Sequence, residues 1–123
     1  MEKIKKDLFA VSIPVTFVSL NDGQGTTLYN HNIRAGEQNG VAGNFYDSLV
    51  VLYPLSANSV LKQLISANYP SEYESKLQND YSAAIEGIEP VSKKTEYLNF
   101  LAVRKTMRAS VDADCLTNNV PLI

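Results

Sequence analysis

The chain has a single histidine, His31, and this limits the nucleophilic chemistry it could carry. A serine or cysteine activated by imidazole would have to use that residue, with Asp22 or Asp47 nearby to orient it and Cys115 or one of the serines to attack. No G-x-S-x-G elbow is present to hold such a nucleophile. A polar strand residue near a turn accounts for His31 without any chemistry. A zinc site of the usual nitrogen and sulfur ligands is not expected, because His31 and Cys115 alone cannot complete the set. Asp112-x-Asp114 and Glu72-x-Glu74 offer oxygen ligands of the kind a hard cation takes. Glu72 and Glu74, however, fall where a helix should begin, and negative charge there favours the free amides whatever the function. Neither a metal nor another cofactor is expected.

Two glycine clusters invite a phosphate-binding reading. Gly23-Gln24-Gly25-Thr26-Thr27 lacks the G-x-x-x-x-G-K-[ST] pattern and joins two extended segments rather than a strand and a helix, so a hairpin turn explains it. Gly36, Gly40 and Gly43 lie in residues 32–44 beside Asn32, Asn39 and Asn44, with no apolar periodicity. That stretch reads as a mobile loop suited to recognition. Together with His31, the loop at residues 36–43 defines one alternative function, a small ligand-binding domain or enzyme.

Charge suggests another. Residues 8–92 hold eight acids against Arg34, Lys62 and Lys76, whereas residues 93–108 hold Lys93, Lys94, Arg104, Lys105 and Arg108 against Glu96 alone. Clustered cations of this kind can meet phosphates, so a nucleic-acid-binding module using the basic helix 93–108 is the second alternative. Against it stand the acidic whole, with a pI near 5.3, and the ordinary affinity of a helix's last turn for positive charge.

The elements that must position these residues follow from hydrophobic spacing. Phe9, Val11, Ile13, Val15 and Phe17 fall on alternate positions, with Ser12, Pro14 and Thr16 in the other register, the pattern of a half-buried strand. Pro14 confines that strand to an edge or a break. Residues 21–25 supply a turn, and residues 26–31 a second extended segment, making a β-hairpin. Residues 45–53 read as a strand through their β-branched pair and Pro54. Ser56 caps a helix bearing Val60, Leu61, Leu64 and Ile65, which must end before Pro70. Ser71-x-x-Glu74 reads as the capping box of a second helix with Tyr73, Leu77, Tyr81, Ala84 and Ile85 on one face, closed by Gly87. Ser92 is the expected cap of a third helix over residues 93–108. At about 100° per residue, Tyr97, Phe100, Leu101, Val103 and Met107 cover more than half of its circumference. The tail, residues 109–123, shows no periodicity and reads as extended.

The 123 residues, 45% hydrophobic and 20% charged, suit one domain with a single core. A lone cysteine precludes an intramolecular disulfide and points to a reducing, cytoplasmic compartment. No apolar run approaches the ~20 residues of a membrane span. The expected fold is α+β, an N-terminal β-hairpin or small antiparallel sheet packed against two or three C-terminal helices. The expected function is a non-enzymatic interaction or assembly protein with protein partners or self-association, for instance a structural subunit of a larger complex such as a virion. Tyr69, Tyr97, Phe100 and Met107 are the expected partner-binding residues. Tyr69 lies in the turn beside Pro70, and the other three lie on a helix too apolar for a lone surface element.

Overall fold

The computed structural model describes residues 3–123. Four strands precede three helices: β1 (Ile4–Ala10), β2 (Phe17–Ser19), β3 (Thr27–Gln38), β4 (Val41–Val51), α1 (Ala57–Asn68), α2 (Tyr73–Ile85) and α3 (Ser92–Thr117). The strands form one antiparallel sheet in the order β1-β4-β3-β2, and the helices follow as a second layer. This is an α+β fold.

One face of the sheet builds the core. Tyr29, Leu49 and Val51 point toward Ala57, Val60 and Leu64 of α1 and toward Val111 and Cys115 of α3, and all eight are buried. Each large apolar side chain enclosed in this way contributes about 1.5–3 kcal/mol. α2 packs on α3, burying Leu77 and Ala84. The Tyr29 hydroxyl donates to Asp114 Oδ2 at 2.5 Å, tying the sheet to the last turns of α3. Burial and the Asp114 charge both push the Tyr29 pKa upward, which keeps that proton in place.

The hairpin turn at residues 21–25 forms as expected, with Leu20 N donating to the Thr26 carbonyl at 3.1 Å. Ser56 caps α1 through the Ser59 amide, and Gly87, at φ 77°, closes α2. Several other elements depart from the sequence reading.

Residues 32–44 are not a loop. They form the distal half of the β3–β4 hairpin, turned by Asn39 and Gly40 at φ 51° and 79°. Positive φ at both central residues matches the right-handed twist of the flanking strands, and Asn-Gly supplies it at little cost. Gly36 and Gly43 face each other across this ribbon, and aromatic rings cover them. A Cβ on Gly36 would lie 2.6 Å from the Phe45 ring, and one on Gly43 would lie 2.5 Å from Phe9. The glycines therefore serve ring packing rather than mobility. Beyond the Ala10–Asn44 pair no third strand among the described residues flanks the ribbon, which projects as a two-stranded arm.

The alternation from Phe9 to Phe17 does not make one strand. β1 begins at Ile4 and ends at Ala10, and residues 11–16 are irregular. β1 and β2 lie at opposite edges, so the segment joining them must cross the sheet. Pro14, which has no amide hydrogen, fits such a crossing and could not serve a ladder.

The expected capping box at Ser71 and Glu74 is absent. Glu72 occupies the N-cap at φ 67° without a side-chain bond, and the Tyr73 amide instead reaches the Pro70 carbonyl at 3.1 Å. Ser92 is the first residue of α3 rather than its cap, which is Val91. α3 runs to Thr117, so most of the expected extended tail is helical, and Val111 and Cys115 continue inward the face begun by Met107. The last residues then turn back. Val120 N donates to the Cys115 carbonyl at 2.8 Å, and the Pro121 and Leu122 carbonyls accept from Ala57 N and Asn58 N at 2.8 and 3.2 Å. Amides that a helix start leaves open are thus satisfied by backbone from the far end of the chain.

Candidate interaction surface

Helices cover only one face of the sheet. On the other face stand the residues that alternate with the core: Val18, Leu28 and Val50 in one cross-strand row, and Leu8 with Tyr46 in another. All five remain partly or largely open to solvent. Among the described residues, the segment that crosses this face is residues 11–16. Asn30 and Asn44, both on this side, hold it down. Asn30 Nδ2 donates to the Val15 carbonyl at 2.8 Å, Asn30 N to the Thr16 carbonyl at 2.7 Å, and Asn44 Nδ2 to the Val11 carbonyl at 3.4 Å.

With its carbonyls turned toward the sheet, this segment points its apolar side chains away. Val11, Ile13 and Val15 are 70%, 73% and 66% exposed. They are the same alternating residues whose spacing suggested a core-facing strand. Monomeric proteins seldom leave large contiguous apolar surface uncovered, so this face is the strongest candidate for contact with another molecule. The strand edge beside it is guarded: β1 carries Lys5 and Lys6, follows Lys3 and is interrupted between Lys5 and Leu8, and both charge and interruption oppose indiscriminate strand pairing.

The expected partner-binding residues take different positions. Phe100, only 5% exposed, is enclosed by Tyr69 and Tyr73, with ring centroids 5.2 and 5.6 Å away, and is an internal packing residue. α2 lies over the face that its spacing had left without a neighbour. Tyr69 stacks on Tyr73 at 5.1 Å, and Tyr97 lies against Tyr81 at 5.1 Å; both remain half-buried. Met107 packs on the core. The apolar excess of α3 that the sequence implied emerges instead at Leu98, Val103 and Leu116, each about half exposed or more.

The basic residues are largely neutralised. Arg104 pairs with Glu74 at 2.7 Å, and Arg108 bonds Asn58 at 2.7 Å and approaches Asp112. Lys93 lies near Asp80 and Glu96. Of the five, Lys94 and Lys105 have no ion pair among the described residues. The structure does not gather the five into one cationic patch.

His31 is half-buried, its ring stacked on Tyr29 at 4.7 Å with Nδ1 3.1 Å from the Tyr29 carbonyl. Burial lowers its pKa, and the Tyr29 carbonyl and Asp47 offset this only in part. Asp47, the carboxylate opposite it in the ladder, is engaged elsewhere. Its Oδ1 accepts from Asp7 N and its Oδ2 from Asn32 Nδ2, both at 3.0 Å, and Arg34 lies 3.6 Å away. Asp7 and Asn32 are the positive-φ residues of the two interruptions in β1 and β3. Asp47 therefore pins the two irregular points of the sheet rather than orienting His31. Among the described residues no group of three or more metal-ligating side chains is present, and no helix is long and apolar enough to cross a membrane.

No known protein family, curated protein or solved structure matches the chain.

Proposed function

We propose that this protein is a non-enzymatic assembly protein, a structural subunit of a larger complex such as a virion, and that it meets a protein partner or another copy of itself through the helix-free face of its sheet. The observation that carries this reading is the segment over residues 11–16, which is fastened by its backbone while Val11, Ile13 and Val15 stand exposed. A two-layer fold ordinarily leaves polar side chains on the outer face of its sheet, and apolar ones held rigidly outward suit a covering partner. A rigid display also lowers the ordering cost of association. The arm beyond Ala10 and Asn44 adds reach toward a neighbour. The engagement of Asp47 with Asp7 and Asn32 supports a structural rather than catalytic role for the His31 region. The buried thiol of Cys115 suits a reducing compartment such as the cytoplasm.

The test is light scattering across a concentration series, comparing the wild type with an Ile13→Asp, Val15→Asp double variant. Both positions are exposed, so the variant should keep its melting temperature and lose association. A wild type that stays monomeric at high concentration and captures no partner, or a variant that associates equally well, would refute the proposal.

A further inference from the structure

A cavity of about 490 Å³ opens between the end of β4 and α1, lined by Lys3, Val50, Leu52, Ser59, Lys62, Gln63 and Ser66. Its size falls within the roughly 300–1,000 Å³ of small-molecule sites. Its chemistry is one-sided. The apolar wall is Val50 and Leu52 with the lysine stems, and both charged residues are lysines, with no carboxylate among the lining groups. Neither Lys3 nor Lys62 takes part in an ion pair among the described residues.

Two of the wall's other polar groups, Gln63 and Ser59, are already engaged. Gln63 locks onto the backbone of Leu52, its Oε1 accepting from Leu52 N at 2.8 Å and its Nε2 donating to the Leu52 carbonyl at 3.3 Å. The same Nε2 donates to Ser59 Oγ at 2.9 Å. The Lys3 carbonyl accepts from Val50 N at 2.8 Å, which holds its backbone against the sheet while leaving its side chain free to turn. No buried side-chain polar atom lacks a partner among the described residues, so the cavity makes no demand for a polar ligand body. The two exposed lysines thus line an apolar slot with no carboxylate beside them in its wall.

From this we infer that the cavity binds a small amphipathic anion, a free single-chain carboxylate whose head meets Lys3 and Lys62 and whose tail lies along Val50 and Leu52. The inference stands apart from the assembly reading: the two share only Val50, and this one concerns a soluble ligand held by Lys3 and Lys62 rather than the exposed segment over residues 11–16.

Titrating the intact protein with dansylated undecanoic acid, followed by its fluorescence, tests this. Saturable binding is expected, with affinity falling about tenfold or more in the Lys3→Glu, Lys62→Glu variant, the scale of one lost charge-assisted bond. The methyl ester of the same probe should bind as weakly to the wild type as the acid binds to the variant. Ser66→Trp, which fills the cavity, should abolish binding. Lys62 and Ser66 are exposed on α1, and circular dichroism checks that each variant keeps its fold. The inference is overturned by absence of saturable binding, by equal affinity for acid and ester, or by binding that survives charge reversal or Ser66→Trp.

Discussion

Replacing Asp47 with alanine should be one of the costlier single substitutions in the sheet. Its carboxylate is buried and holds Asp7 N and Asn32 Nδ2 at 3.0 Å, with Arg34 at 3.6 Å. Hydrogen bonds to a charged group contribute about 1.5–3 kcal/mol each. Both donors are only partly buried and can find water, so the lower figure applies to each, about 3 kcal/mol together. In a chain of this length each kcal/mol moves the melting temperature by about 4 °C, so a drop of roughly 12 °C is expected. Asp47→Asn, which keeps one acceptor oxygen, should lose about half as much. The effect should also depend on pH. Burial opposes ionisation of Asp47, but the Asn32 and Asp7 hydrogen bonds and the Arg34 charge outweigh it, and its pKa lies below the ordinary carboxylate value. A carboxylate with a depressed folded pKa stabilises fully above its unfolded pKa of 3.8, and that contribution is lost as pH falls through the folded value. Urea denaturation at about pH 7 and about pH 3 should therefore show a wide gap between wild type and Asp47→Ala that narrows in acid. A gap below about 0.5 kcal/mol at neutral pH, or one that does not change with pH, would refute the assignment.

Burial lowers the pKa of His31, so the unfolded chain takes up its proton first. Stability should fall as pH drops below 6.5, and His31→Gln should flatten the profile between about pH 7 and pH 5 in thermal melts. Tyr29→Phe removes the hydroxyl that donates to Asp114 and should cost about 1.5 kcal/mol by urea denaturation, with the sheet's strand content retained in circular dichroism. Gly43→Ala places a methyl 2.7 Å from the Ala10 carbonyl and into the Phe9 ring, and should cost about 1–3 kcal/mol by the same assay. Cys115 is fully buried, and burial, helped by Asp112 and Asp114, pushes its thiol up to about 11. It should resist a thiol reagent at neutral pH until the protein is unfolded, and rapid labelling of the native state would contradict its placement.

The local signals in this chain are those that a few neighbouring residues settle among themselves. Ser56 before Val60 and Leu61, Gly87 after Ile85, and the turn at residues 21–25 state where elements begin and end, because caps and turns satisfy backbone groups within a few residues. Asn39-Gly40 is a turn signal of the same class, yet it sits in the stretch that reads as a mobile loop. The surrounding Asn and Gly, with little apolar content, gave the appearance of a loop, since the rings that cover Gly36 and Gly43 come from Phe45 and Phe9. The α+β order of strands then helices was likewise readable from period alone.

What required the tertiary structure was direction. The alternation of Val11, Ile13 and Val15 is the same whether those side chains face a core or solvent. Only the strand order, with β1 and β2 at opposite edges, turns the segment outward. Phe100 and Met107 look unpartnered until α2 and the sheet close over α3, and the end of the chain gains a role only where its carbonyls meet the amides of Ala57 and Asn58. Periodicity reports that a face is apolar, but what covers that face depends on contacts between residues far apart in the chain, which no local pattern encodes.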